Sequence, residues 1–261
     1  MARYTSLIQL PRFETFNDAL RENYIRIETL LRFGGNENIQ LARRLRDCSE
    51  GVKSCNSLAC KLCNRRFRLE KVDGLVAKIR SEKKGKRKRY WWMVTIIDYS
   101  RAFSCEDLDS FDVQQSKDRL RKLLKRSGFN GPIVGSFEVD FHESCGLWLP
   151  HFHLLCRGTK QNRRAKKILT QKLARQQSTH IKKGREPKPV KFQFVKRYFT
   201  QVSYVYKLVS NCVYDYDSWS IGKIRTNKKR LNDAMFCRSL CWMDRIGRRR
   251  VLFSFGERDW S

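Results

Sequence analysis

From Ile133 to Arg157 the chain reads IVGSFEVDFHESCGLWLPHFHLLCR, two alternating runs on either side of Glu143-Ser144-Cys145-Gly146. Side chains two apart on a strand share a face. In the first run Ile133, Phe137, Val139 and Phe141 fall on one face, with Val134, Ser136, Glu138, Asp140 and His142 on the other. In the second, Trp148, Phe152 and Leu154 point one way and His151 and His153 the other. The spacing predicts a hairpin with a four-residue turn, a usual loop length, in which His142 faces Leu147 and Glu138 lies across from His151. Opposite Cβ atoms in such a pair are about 4.5 to 5.5 Å apart. Two imidazoles and a carboxylate then gather on one patch, a donor set suited to a divalent cation. Glu138 leads as third ligand, and Asp140 or His142, on the same face, can replace or supplement it.

Working outward, Trp91 to Ile97 is rich in aromatic and β-branched residues and apolar on both faces, which predicts a central strand. Helices are expected over Cys105 to Ser127, over a very basic stretch from about Gln161 to Lys182 closed by Gly184 and Pro187, and over Tyr198 to Val213. Val190 to Val195 supplies a fourth strand. Strand, helix, strand, strand, helix, strand, helix is the order of an α+β domain, an antiparallel sheet with helices packed on one face and the histidine face left open. Ahead of it, apolar spacing predicts helices over Phe13 to Phe33 and Asn38 to Arg46. The expected domains are a helical cysteine-rich region over 1–88, the histidine-bearing domain over 89–216 and a C-terminal extension over 217–261. In the extension a helix near Leu231 to Trp242, a turn at Gly247 to Arg250 and a strand over Val251 to Phe255 are expected.

The chain of 261 residues carries 56 Lys and Arg against 26 Asp and Glu, a formal charge of +30. That selects a polyanion as partner, with nucleic acid ahead of a membrane surface. No signal-peptide core and no apolar run long enough to span a bilayer is present, so an intracellular, cytoplasmic protein is expected. Ten cysteines in such a compartment suit metal binding better than disulfides. Cys48, Cys55, Cys60 and Cys63 cluster and end in a Cys-x-x-Cys knuckle, the ligand pattern of a tetrahedral zinc site. The basic run from Ser81 to Arg89 and the cations Arg163, Arg164, Lys166, Lys167, Lys172 and Arg175 are candidate phosphate contacts, and Trp91 a candidate base-stacking residue if exposed.

On a helix from Tyr198, Thr200, Gln201, Tyr204, Lys207 and Asn211 share the polar side, opposite a stripe of Val202, Tyr206, Val209 and Val213. Tyr204 and Lys207 become neighbours one turn apart, and Tyr206 becomes a packing residue. Phe137-Glu138, then Leu149-Pro150-His151-Phe152-His153-Leu154-Leu155, then Tyr204-Val205-Tyr206-Lys207 resemble the motifs of HUH rolling-circle replication initiators of plasmid and phage type. Trp92 to Ile96 resembles their first motif. Leu149 and Ser203 stand where compared members have His and Lys. The resemblance implies a ferredoxin- or RRM-like sheet, a divalent metal, Mn or Mg, on His151, His153 and Glu138, and Tyr204 as nucleophile with Lys207 beside it. It also implies a 5′ phosphotyrosine and a 3′ hydroxyl that primes synthesis.

These residue types belong together chemically, since a cation withdraws charge from a phosphodiester and a phenol, with a pKa of roughly 10, attacks once its phenolate is stabilised. The expected activity is metal-dependent nicking and joining of single-stranded or supercoiled origin DNA in a bacterial host. With no phosphate-binding loop in the sequence, host helicase and polymerase are expected partners. A relaxase or tyrosine transposase of the same fold, or a non-catalytic zinc-containing nucleic-acid-binding protein, are the alternatives.

Overall fold

A computed structural model of the protein describes residues 14–83, 90–175, 188–218 and 223–256. Its elements in chain order are α1 (Phe16–Phe33), α2 (Asn36–Ser49), α3 (Lys61–Lys83), β1 (Trp91–Ile97), α4 (Val113–Arg126), β2 (Ile133–His142), β3 (Leu147–Arg157), α5 (Lys160–Ala174), β4 (Val190–Phe194), α6 (Tyr198–Val205), β5 (Cys212–Ser218), β6 (Lys223–Lys229), α7 (Asp233–Val251) and β7 (Leu252–Phe255). Local chemistry sets many of the boundaries. Thr15 and Asp18 form a reciprocal capping box at the start of α1, and Gly34, at φ 75°, ends it. Asp112, Thr159 and Asn232 cap α4, α5 and α7 by accepting from backbone N–H groups.

The central hairpin has the register that alternation predicts. Glu138 pairs with His151, Phe137 with Phe152 and His142 with Leu147, while β1 pairs on the far side of β3 with Thr95 opposite His153. Gly135 is required here, because a Cβ at this position would lie 2.0 Å from the backbone oxygen of His153.

The sheet departs from the expected antiparallel four strands. Among the described residues it has seven, in the order β4-β1-β3-β2-β5-β6, with β7 also paired to β2. It is mixed, because β5 runs parallel to β2 through Phe141 opposite Cys212 and His142 opposite Val213. One edge of β2 is shared, its first half taken by β7 and its last residues by β5.

Helices cover both faces, not one. The phenylalanine face stacks Phe103, Phe111, Phe137, Phe152 and Phe253 in a chain of ring contacts, closed by α4, whose Arg121 guanidinium lies over Phe253, and by α5, whose Lys166 lies over Trp92. The histidine face is covered by α6, held down by the Ser136 hydroxyl donating to the Val205 carbonyl, and α6 is backed by α3 through Arg68 Nε donating to Ser203 O at 2.9 Å.

Several helix boundaries differ from expectation, among them the end of α5, which stops at Ala174 with Arg175 as its cap where a helix to about Lys182 is expected. The stretch from Cys105 holds a short 3-10 turn at Glu106–Leu108 before α4. The helix from Tyr198 stops at Val205, and Cys212 to Ser218 is a strand. α7 runs to Val251 with a break at Gly247, φ 66°. The buried core is continuous from Ile27 in α1 through Cys60, Trp91 and Phe152 to Phe253 in β7. Trp91 is 1% exposed and is core, not a stacking residue. Among the described residues no helix is long and apolar enough to cross a membrane. Residues 84–89 of the basic run, and Gly184 and Pro187, lie outside the described residues.

Candidate active site

The pleat of β2 presents Ser136, Glu138 and Asp140 to the same side, and these three residues tie down the chain that follows α6. Ser136 bonds Val205 O, Glu138 Oε1 accepts from Leu208 N at 3.0 Å, and Asp140 Oδ1 accepts from Asn211 N at 2.8 Å and from its side-chain amide at 3.0 Å. Leu208 adopts φ +47° in doing so, a left-handed conformation that L residues rarely hold without compensating contacts. Lys207 is thereby placed by a turn that β2 holds in place, not by a continuing helix.

Glu138, His151 and His153 are buried at 4%, 6% and 3% exposure, and one ligand atom from each lies within 4.8 Å of the others. Glu138 Oε2 is 3.6 Å from His151 Nε2 and 3.7 Å from His153 Nε2. Ligands about 2.1 Å from one ion are roughly 3 to 3.5 Å apart, so the three atoms stand close to a coordination spacing. Both rings are anchored through Nδ1, His151 by the Leu149 carbonyl at 3.2 Å and His153 by the Thr95 hydroxyl at 3.1 Å. A carbonyl only accepts, so His151 Nδ1 donates to it, and Nε2 is the ring nitrogen that faces the cluster. His153 Nε2 is buried without a hydrogen-bond partner among the described residues. Buried polar atoms are rarely left so, and a cation would satisfy it.

Charge around this cluster is strongly organised. Burial pushes the Glu138 carboxyl up, but the Lys207 ammonium 3.1 Å from Oε2, with the two imidazoles, outweighs it and brings the pKa down to about 2. Asp140 is also well below the usual carboxylate range, burial again being overcome, here by His151 and by Lys228 on β6, whose ammonium is 2.5 Å from Oδ2. Burial pushes His153 down to about 3 and His142 to about 4, against the pull of Glu138 and Asp140 respectively. Lys207 loses hydration by burial, yet Glu138 and Asp140 hold its pKa above the ordinary lysine value.

Tyr204 meets the cluster edge to face, its ring centroid 4.8 Å from that of His153, and Lys207 Nζ lies 4.8 Å from the Tyr204 ring. It is the exposed member of the group, at 39%. Tyr206 is buried against Phe67, as its place in the valine stripe predicts. Thr200, Gln201 and Tyr204 share the less buried side of α6 as expected, whereas Lys207 and Asn211 lie beyond its end. Gln201 also caps the start of α6 by accepting from the Lys196 and Arg197 amides.

Cys48, Cys55, Cys60 and Cys63 converge at the end of α2, the following loop and the first turn of α3. Sulfur separations are 3.6 Å for Cys48–Cys63 and 3.7 Å for Cys55–Cys63 and Cys48–Cys60. Those are far beyond a disulfide bond of about 2.05 Å and match the roughly 3.8 Å edge of a tetrahedron with sulfur about 2.3 Å from its centre. Hydrogen bonds from Cys55 and Cys60 hold the Cys63 thiol well below its usual range, while contacts with Cys60 and Cys63 raise Cys55. The other six cysteines do not join a metal-ligand cluster among the described residues.

Of the basic residues on α5, Arg163, Arg164, Lys167 and Arg175 are exposed, whereas Lys166 packs on rings and Lys172 Nζ donates to Arg126 O. All are on the phenylalanine side of the sheet, opposite the histidines. Sequence reasoning missed Lys228, because β6, Lys223–Lys229, carries no apolar alternation to reveal it. It also missed Thr95, which only its register with His153 singles out. Comparison with family models, curated proteins and solved structures finds no match to this chain.

Proposed function

We propose that the chain is a metal-dependent nicking and joining enzyme that acts on single-stranded origin DNA through a phosphotyrosine intermediate and so initiates rolling-circle replication. The observation that carries this reading is the convergence of Glu138, His151 and His153 with the exposed Tyr204 ring and the Lys207 ammonium. A manganese or magnesium ion held by the two Nε2 atoms and Glu138 Oε2 would draw charge from the scissile phosphate.

Tyr204 is the reacting group. Its oxygen bonds to phosphorus as the bond from phosphorus to the 3′ oxygen breaks. The phenolic proton passes to solvent and the departing 3′ oxygen takes one up, leaving a 5′ phosphotyrosine and a 3′ hydroxyl; joining is the reverse. That polarity follows from the resemblance to HUH initiators. Lys207, its pKa held above the ordinary lysine value by Glu138 and Asp140 against the effect of burial, is placed as an ammonium to stabilise the phenolate and the phosphate. Ser136, Glu138 and Asp140 hold the turn that positions it. Zinc at the four cysteines would fasten α2 to α3, against which α6 rests. Host helicase and polymerase would supply strand opening and synthesis.

The test is a denaturing gel of protein incubated with single-stranded oligonucleotides tiling the replicon that encodes it, with and without manganese. A denaturant-resistant adduct that needs the metal, and that Tyr204→Phe abolishes, is expected. An adduct that survives Tyr204→Phe sinks the nucleophile assignment.

A further inference from the structure

We propose that the edge of the sheet formed by β4, with the cations of α5 beside it, is a stacking platform for single-stranded DNA, separate from the nicking site on the opposite face. Phe194 closes β4 at 57% exposure, an unusual place for a phenylalanine in a strand. Its ring lies 5.4 Å from Tyr90, which meets Trp92 at 5.7 Å, and Trp92 in turn meets Phe192 at 5.6 Å. Two cations dress this row. Arg163 sits 5.1 Å over the Tyr90 ring and donates to its hydroxyl, and Lys166 sits 4.9 Å over Phe192. Among the described residues β4 pairs with β1 alone, so it ends the sheet.

An exposed ring continuous with buried ones, bordered by ammonium and guanidinium groups, suits a ligand that offers flat apolar faces and anionic oxygens together. Unpaired bases on a phosphate backbone do so, whereas a duplex hides its base faces. An apolar peptide would gain nothing from the cations, and the charge of +30 attracts a polyanion from a distance. The platform also leads to the proposed nucleophile. Gln201 Nε2 on α6 donates to the Phe194 carbonyl at 2.9 Å, so a strand crossing the β4 edge is delivered toward the helix that bears Tyr204. The choice of DNA over RNA rests on the nicking reading; the stacking itself does not.

The experiment is fluorescence anisotropy of labelled oligothymidylate, about twelve residues long, at fixed salt. Phe194→Ala and Phe194→Leu are expected to raise Kd roughly tenfold or more, because one base loses its aromatic partner, and Phe194→Trp to stay within about twofold of the parent. A duplex of equal length should respond by less than about twofold to all three. Tyr204→Phe should bind as the parent does, so failure of the nicking chemistry leaves this result intact. Equal affinity of Phe194→Ala and parent overturns the platform, as does an equal loss on duplex. Tighter binding of the matching oligouridylate overturns the assignment to DNA.

Discussion

At the scale of single residues, Lys207 and a divalent ion claim the same oxygen. The ammonium is 3.1 Å from Glu138 Oε2, the atom that also faces both histidine Nε2 atoms. Removing a unit charge about 4 Å from a divalent ion, at an effective dielectric of about 20, relieves several kcal/mol of repulsion before screening. Lys207→Met is therefore expected to tighten manganese binding by about tenfold or more while lowering adduct formation, because the phenolate loses its counter-charge. Titration calorimetry measures the first effect, and weaker or unchanged manganese affinity shows that ammonium and ion do not compete. The residues of the candidate metal site were legible in the sequence because strand alternation is a rule of period two, and a hairpin with a four-residue turn fixes which side chains oppose. Lys207 was found for a reason the structure revises. It was read as the next turn of a helix, yet it reaches Tyr204 because Glu138 holds the Leu208 amide in a tight turn.

At the scale of elements, the misread helix shows where local periodicity gives way to tertiary structure. Of the expected stripe Val202, Tyr206 and Val213 are buried and Val209 is half-buried, but the polar side of β2 takes the backbone away after Val205. The hairpin β5–β6 escaped notice because Lys223 to Lys229 lacks an apolar face. That α3 begins in the cysteine cluster and then clamps α6 through Arg68 is a tertiary fact. Cys60→Ser and Cys63→Ser are each expected to remove one zinc atom per chain, as measured by elemental analysis. Their covalent adduct yield should fall as well, because α3 loses the anchor from which it braces α6. Full zinc content in both variants removes the thiolate site, and normal adduct yield without zinc removes the bracing.

At the scale of the whole molecule, one buried core runs from α1 to β7, so stress at the histidine face is felt as global stability. The metal-free protein is expected to lose stability in acid, in two overlapping stages. His153 and His142 are lowered, to about 3 and about 4, from an ordinary 6.5. Above pH 6.5 they are neutral in both folded and unfolded chains and contribute no pH dependence. Below it the unfolded chain takes up protons that the folded one refuses, so stability falls as pH drops from about 6.5 toward 3. Glu138, lowered from 4.5 to about 2, acts in the next window: its stabilisation is complete above 4.5 and is lost as pH falls toward 2. The combined loss by pH 4 is on the order of a few kcal/mol, a large share of a typical domain's stability. Urea unfolding between pH 7.5 and 4, followed by the fluorescence of the buried Trp91, Trp148 and Trp242, measures it. Saturating manganese should delay the decline, since an ion on the imidazoles competes with their protons and stabilises only the folded chain. A stability that stays flat from pH 6.5 to 4.5 without metal sinks the picture of neutral buried histidines, and a decline that manganese leaves unmoved removes the ion from that face of the sheet.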